Sequence, residues 1–183
     1  NNCKKDLIDI LEAYEEGKRS ETVIDINHTK EYEELTLNKT AEHTRAYVKV
    51  QDGCNQFCSY CIIPYTRGRV RSRKAQDVYE EVVRLAQAGY HEVVLTGIHL
   101  GSYGVDLEDD TLLSLIEMIH EIDGIERIRL GSLEPRTMSE EFVATIAKLH
   151  KVCPHFHLSL QSGCDETLKR MNRKYTAEEY YEV

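Results

Sequence analysis

The sequence predicts an α/β fold in which about four strand–helix units form part of a TIM-type barrel. Short apolar stretches of strand length alternate four times with amphipathic stretches of helical period, and Gly89 and Gly124 follow two of the helical stretches as end signals. Such alternation indicates βαβ units with parallel strands and right-handed crossovers. A closed barrel of this type needs eight units, so we expect a partial, truncated barrel.

The first 44 residues precede this regular pattern. Apolar side chains recur there at helical spacing, at Leu7, Ile8, Leu11 and Tyr14. This spacing predicts a helix over 6–16, and we assign residues 1–17 to the terminal helix of a preceding N-terminal domain. Residues 18–44 are mostly polar and are interpreted as a linker with a short strand at 23–26. The α/β core is then expected over 45–183, incomplete at its C-terminal end.

Within the core, each element has its own signal. The predicted strands are Ala46–Val50, Glu92–Thr96, Arg127–Leu130 and Phe156–Leu160. Helices are expected to follow, with stripes that include Val78 and Val82, Leu115 and Ile119, and Phe142 and Ile146, and a fourth helix from about Asp165. We expect Asp110 to cap the second helix, and Thr137 with Glu140 to form a capping box on the third.

Composition and charge restrict the class of protein. The 183 residues carry a formal charge of −9, which argues against nucleic-acid binding by the whole surface. No apolar run approaches the length of a membrane span, so no membrane partner is expected. Six cysteines are distributed unlike a disulfide framework, which favours a reducing, cytoplasmic location. One local basic run could still contact RNA phosphates, and it contains Arg67, Arg69, Arg71 and Arg73.

The cysteine loop is the strongest chemical signal. Cys54, Cys58 and Cys61 follow the first predicted strand, at the end where α/β barrels place their active sites. Thiolates are soft ligands that suit iron–sulfur clusters or zinc. Three cysteines would hold a 4Fe–4S cluster with one iron left open, and we prefer this interpretation. The alternative is a closed zinc site that takes a fourth ligand such as His43.

A polar strand face indicates a ligand inside the barrel. His157, Ser159 and Gln161 alternate with apolar residues and are therefore expected on one face of the last strand. Small barrels normally fill this space with branched apolar side chains, so the polar face favours a binding site over a hydrogen-bonded polar core. The glycine-containing loop 97–104 follows the second strand and would let backbone approach that ligand.

Taken together, these stretches resemble the methylthiotransferases of the radical S-adenosylmethionine superfamily. The matching stretches are 47–68 (YVKVQDGCNQFCSYCIIPYTRG), 95–104 (LTGIHLGSYG), 158–163 (LSLQSG) and 168–176 (LKRMNRKYT). Residues 97–99 and 132–135 look most like the bacterial branch that modifies N6-threonylcarbamoyladenosine in tRNA. The alternatives in the same class are the isopentenyladenosine tRNA enzymes and the ribosomal-protein enzymes. From another class, the alternative is a non-catalytic, zinc-bound RNA-binding module.

The resemblance implies a (β/α)6 partial radical S-adenosylmethionine barrel and a set of cofactors. Cys54, Cys58 and Cys61 would bind the 4Fe–4S cluster, and no other residue is assigned to catalysis. The residues expected to line the S-adenosylmethionine site are Tyr60, Ile63, Gly97 and Gln161, with Arg173 as a candidate for its carboxylate. The family implies a tRNA substrate, an electron donor such as flavodoxin or ferredoxin, and a second 4Fe–4S cluster in the N-terminal domain of the full-length protein.

Overall fold

The computed structural model describes residues 2–18, 23–34 and 44–183. Its sheet has four strands: β1 (Ala46–Asp52), β2 (Arg71–Ser72), β3 (Glu92–Gly97) and β4 (Arg127–Leu130), in the order β2-β1-β3-β4. β1 pairs in parallel with β3, and β3 pairs in parallel with β4. β2, which was not predicted, pairs antiparallel with β1: Ser72 lies opposite Gln51, and Arg71 lies opposite Asp52. The predicted parallel α/β sheet is therefore confirmed.

Seven α-helices accompany the sheet in the described part of the chain. They are α1 (Leu7–Glu15), α2 (Ile63–Thr66), α3 (Ala75–Gln87), α4 (Leu112–His120), α5 (Glu140–Ile146), α6 (Asp165–Arg170) and α7 (Ala177–Glu182). Three short 3₁₀ turns lie at Lys4–Asp6, Leu100–Ser102 and Pro135–Thr137. No helix of the described residues is long and apolar enough to cross a membrane.

One apolar core holds the sheet and the helices together. The stripes of α3 and α4 supply Val78, Val82, Leu115 and Ile119, all fully buried against Val48 and Leu95 of the sheet. The residues that begin two helices differ from the prediction. Thr111, rather than Asp110, forms a capping box with Ser114, and Ser139, rather than Thr137, accepts the backbone N–H of Phe142.

The predicted strand at Phe156–Leu160 is wrong. The chain does run parallel to β4, but it makes only two single bridges, Ile128 to Val152 and Leu133 to Leu158. Between the two bridges the backbone N–H of His155 turns back to the carbonyl of Cys153 at 2.7 Å and does not pair with the neighbouring strand, so no continuous ladder forms. Phe156 is 37% exposed and does not pack beneath a helix as expected.

The residues before the core also differ in part from their prediction. α1 agrees with the helix expected over 6–16, whereas the strand expected at Val23–Ile26 is absent. Part of the predicted linker packs on the core instead: Ile26 is buried, and the Tyr32 hydroxyl donates to the carbonyl of Lys49 at 3.0 Å. The remaining linker residues, 19–22 and 35–43, lie outside the described residues.

Candidate functional site

The cysteine loop leaves the carboxyl end of β1 through a tight backbone crossing. Gly53 has φ +72°, and a Cβ at this position would lie 1.8 Å from the carbonyl oxygen of Arg69. The N–H of Cys54 donates to the carbonyl of Gly68 at 3.1 Å. Only glycine fits this crossing, which holds both ends of the loop together beside the sheet.

The three cysteines of the loop present a donor set of one kind. Cys58 is buried, and Cys54 and Cys61 are half-buried. Burial raises the pKa of the Cys54 thiol, and the nearby Cys58 and Cys61 raise it further, because neighbouring thiolates repel one another. A positively charged iron core would remove that repulsion. The three thiols therefore suit a cationic metal centre, either an iron–sulfur cluster or zinc.

The alternative zinc site lacks support among the described residues. No three His, Cys, Asp or Glu side chains converge there as the ligands of a single ion must. A cubane binds each cysteine at a different iron, so its ligands need not meet at one point. His43, the fourth zinc ligand considered above, lies outside the described residues.

The end of α6 clamps the cysteine loop from the other side. The N–H of Ser59 donates to the carbonyl of Met171 at 3.1 Å. Asn172 donates from Nδ2 to the carbonyls of Gln56 and Phe57 at 3.3 and 2.9 Å. Asn172 itself has φ +57°, a left-handed conformation that asparagine tolerates better than most residues. This stretch belongs to the matching segment 168–176, but its contacts with the cysteine loop were not predicted from the sequence.

Arg173 extends the same clamp into the site. Its Nη1 lies 3.3 Å from the Sγ of Cys58, and its Nη2 lies 2.6 Å from Oε1 of Glu134. Its guanidinium carbon lies 5.1 Å from the ring centre of Tyr175. The Nε atom is buried and has no hydrogen-bond partner. Two of the three guanidinium nitrogens are thus engaged by protein atoms.

Glu134 and His99 complete this polar network and were missed as site residues. Oε2 of Glu134 lies 3.2 Å from Nε2 of His99, whose Nδ1 lies 2.6 Å from Oγ of Ser102. Burial opposes ionisation of Glu134, but the His99 hydrogen bond and the charges of His99 and Arg173 outweigh it and lower its pKa. The available signal was an acidic residue in the loop that follows β4, where barrel sites lie.

The residues predicted for S-adenosylmethionine are only partly in contact with one another. Tyr60, 55% exposed, donates its hydroxyl to Oε1 of Gln161 at 3.1 Å. Gly97 ends β3 and packs on Gln51, where an added Cβ would lie 2.8 Å from the side-chain oxygen. That oxygen accepts the N–H of His99 at 2.8 Å. Ile63 is half-buried at the start of α2.

Half of the basic run is not available to RNA, which corrects the sequence prediction. Arg71 and Arg73 are 2% and 5% exposed. Arg71 pairs with Asp52 at 3.7 Å, and Arg73 pairs with Glu81 at 2.5 Å. These side chains neutralise buried carboxylates and hold β2 against its neighbours, so they cannot reach phosphates.

The other half of the basic run does reach the surface. Arg69 is exposed, and its guanidinium carbon lies 4.5 Å from the ring centre of Phe57 in the cysteine loop. Arg67 is half-buried, 3.8 Å from the carboxylate of Asp52. These two side chains remain candidates for contact with RNA.

Sequence comparisons relate the chain to one superfamily and to tRNA-modifying relatives. The profile of the radical SAM superfamily matches residues 48–183. The tRNA-2-methylthio-N(6)-dimethylallyladenosine synthase of Thermoanaerobacter pseudethanolicus is 47% identical over 163 residues, which cover 88% of this chain and 35% of the relative. The threonylcarbamoyladenosine tRNA methylthiotransferase MtaB of Aquifex aeolicus is 44% identical over 184 residues, which cover 100% and 45%.

A third relative agrees with this relation, and a solved structure shows a similar fold. MtaB of Bacillus subtilis is 38% identical, with 96% of this chain and 39% of the relative covered. The chain therefore spans less than half the length of the curated relatives described here. The radical S-adenosylmethionine methyltransferase TsrM of Kitasatospora setae superposes with a TM-score of 0.59 at 21% identity, over 73% of this chain and 27% of that one. The likeness supports the partial-barrel fold.

Proposed function

The chain belongs to the radical S-adenosylmethionine superfamily, and from this premise we propose that it forms the catalytic core of a tRNA methylthiotransferase. The observation that carries the proposal is the cysteine loop, which presents three thiols at the carboxyl end of β1 while Arg173 reaches Cys58 from α6. The names of the relatives support the substrate class, since both describe methylthiolation of a tRNA adenosine.

The proposal assigns the cofactors to named side chains. Cys54, Cys58 and Cys61 would hold a 4Fe–4S cluster, because they are soft donors on one loop and leave one iron without a protein ligand. When bound and reduced, such a cluster supplies the electron for reductive cleavage of S-adenosylmethionine. Gly53 and Asn172 fix the backbone of the loop, so the thiol groups are positioned before any cofactor binds.

The S-adenosylmethionine site is proposed on the same edge of the barrel. Tyr60 and Gln161 form one wall through their mutual hydrogen bond. Gly97 ends β3 at this edge, and Ile63 adds an apolar group after the last cysteine. Arg173 is the candidate that the family resemblance gives for the carboxylate, but two of its three guanidinium nitrogens already meet Glu134 and Cys58.

We propose N6-threonylcarbamoyladenosine as the substrate nucleoside, methylthiolated at C2. The support is the sequence of residues 97–99 and 132–135, which includes His99 and Glu134 of the polar network. N6-dimethylallyladenosine is the second candidate, because relatives named for that nucleoside are 47 to 51% identical to this chain.

The partners follow from this function. A tRNA substrate would meet the exposed Arg69 and the half-buried Arg67 beside the loop. An electron donor such as flavodoxin or ferredoxin would reduce the cluster. The full-length protein would carry a second 4Fe–4S cluster in its N-terminal domain. We propose a cytoplasmic location, where tRNA is present and thiols stay reduced.

Nucleoside analysis of tRNA tests the substrate. A strain that lacks the full-length gene should lose the 2-methylthio form of N6-threonylcarbamoyladenosine and retain the unmodified parent, and plasmid-borne wild-type gene should restore it. Loss of 2-methylthio-N6-dimethylallyladenosine instead would establish the second candidate. If the deletion strain kept both 2-methylthio nucleosides in its tRNA, the proposal that this protein methylthiolates tRNA would be contradicted.

Analysis of the purified protein tests the chemistry independently of the substrate. After anaerobic reconstitution, the chain should contain iron and sulfide at the ratio of one 4Fe–4S cluster and should form 5′-deoxyadenosine when reduced with S-adenosylmethionine. Bound zinc without sulfide would support the RNA-binding module instead.

A further inference from the structure

We propose that Arg173 is a positioning residue that raises the reduction potential of the cluster through its hydrogen bond to the Sγ of Cys58. The inference rests on the proposed function, because it requires a cluster on the cysteine loop. It assigns to Arg173 an action on a cluster ligand, in place of the contact with the S-adenosylmethionine carboxylate.

The burial of Arg173 makes this contact specific. Its side chain is 9% exposed and that of its partner Glu134 is 5% exposed. Burying a guanidinium is costly, and each hydrogen bond or ion pair that it makes offsets part of that cost. Nη2 meets Glu134 at 2.6 Å and Nη1 meets the sulfur of Cys58 at 3.3 Å. Nη2 of Arg173 therefore holds the guanidinium on Glu134, and Nη1 donates to the sulfur of Cys58.

The anchor is itself held in place. The second oxygen of Glu134 lies 3.2 Å from Nε2 of His99, and Nδ1 of His99 lies 2.6 Å from Oγ of Ser102. The backbone N–H of His99 in turn donates to the side-chain oxygen of the buried Gln51 at 2.8 Å. The guanidinium is therefore fixed through one side chain near the carboxyl end of β1 and others in the loops that follow β3 and β4. A rigid donor keeps its N–H directed at one sulfur.

A donor at this sulfur changes the energies of the two redox states unequally. One-electron reduction makes the cluster and its thiolates more negative, so a cationic N–H donor stabilises the reduced state more than the oxidised state. Removing the donor should therefore lower the potential. Residues that hydrogen-bond to a metal ligand, without binding the metal themselves, commonly tune the redox potential of a metal site in this way.

The test is a redox titration of the anaerobically reconstituted chain, with dithionite as the reductant and electron paramagnetic resonance as the readout. The variants are Arg173→Gln, which removes the charge, and Arg173→Lys, which keeps the charge but loses the planar fork. Arg69→Gln is the matched control, since it removes one exposed arginine charge from the same loop region. Iron content and circular dichroism are measured on each variant.

We expect Arg173→Gln to lower the reduced-to-oxidised ratio at fixed potential about tenfold, which equals about 59 mV for a one-electron couple. Arg173→Lys should shift the ratio in the same direction by less, and it carries the test if the glutamine variant does not retain its cluster. Arg69→Gln should change the ratio less than either variant.

Two results would overturn the inference. One is a potential in both Arg173 variants no lower than that of Arg69→Gln. The other is an unchanged potential together with a loss of S-adenosylmethionine affinity, which would assign Arg173 to the carboxylate. In both cases the proposed function would still stand if the wild-type chain held its cluster and formed 5′-deoxyadenosine. A wild-type chain without a cluster would refute the proposed function first.

Discussion

The guanidinium of Arg173 pairs with the carboxylate of Glu134 at 2.6 Å between Nη2 and Oε1. Glu134 follows β4, and Arg173 follows α6, so this ion pair joins two loops that are far apart in sequence. Both meet beside Cys58, where Arg173 also donates to the sulfur. The cysteine loop is thus supported by side chains from the far end of the core, and the following predictions test that support.

The first prediction concerns the cluster ligands. Replacement of Cys54, Cys58 or Cys61 by alanine should abolish the visible absorbance and iron binding of the reconstituted chain, because a three-thiolate site cannot lose a ligand and keep a stable cubane. Cys164 is exposed and lies before α6, so Cys164→Ala is the control and should retain both. Loss of the cluster in that control would show the ligand assignment to be wrong.

The second prediction concerns the clamp on the loop. Asn172→Gly keeps the left-handed backbone but removes the two hydrogen bonds from Nδ2 to the loop and the one that Oδ1 accepts from Lys174. The free energy of unfolding should therefore fall by about 1–3 kcal/mol. Asn172→Ala should cost about 1 kcal/mol more, because alanine resists φ +57°. Urea denaturation of the cluster-free chain measures both. Equal stability of wild type and the glycine variant would contradict the clamp.

The third prediction separates the two kinds of arginine in the basic run. Arg73→Gln leaves the buried Glu81 without its partner and should lower the free energy of unfolding by about 3–5 kcal/mol. Arg69→Gln changes an exposed side chain and loses its contact with the Phe57 ring, so it should lower stability by no more than about 1 kcal/mol.

Binding of tRNA supplies the complementary readout for this pair. In the full-length enzyme, Arg69→Gln should lower the log–log salt slope by about 0.9 for a duplex phosphate or about 0.7 for a single-strand phosphate. An unchanged slope would remove Arg69 from the RNA surface.

The fourth prediction concerns acid stability. The pKa of Glu134 lies below its ordinary value of 4.5, because the His99 hydrogen bond and the nearby cations outweigh the effect of burial. A carboxylate of lowered pKa stabilises the fold at pH values above 4.5, and this contribution disappears as the pH falls through the folded-state pKa. Glu134→Gln cannot take up that proton.

The measurement is denaturant unfolding as a function of pH. Below pH 4.5, the wild-type free energy of unfolding should fall more steeply than that of Glu134→Gln, by up to about 1.4 kcal/mol per pH unit for one proton. Parallel curves over this range would show that Glu134 keeps its ordinary pKa in the folded chain.

The sequence by itself determined the class of fold and the superfamily. Apolar stretches such as 93–95 and stripes such as that of α3 repeat with periods that depend only on local backbone geometry, so the parallel sheet was predictable. The three cysteines were also recognisable from the sequence, because all three lie on one short loop and their spacing is local. The functional roles of Tyr60 and Gln161 stay predictions, although the two side chains do meet.

Only the tertiary structure decided which polar side chains are buried and which contacts they make. The alternating arginines look alike in sequence, yet Arg71 and Arg73 are buried because Asp52 and Glu81 lie opposite them across the fold. The single bridges beside β4, the clamp of Asn172 and the Glu134–Arg173 pair likewise join residues that are distant in the chain. Such contacts depend on how packed elements bring distant side chains together, and no local period or spacing encodes that arrangement.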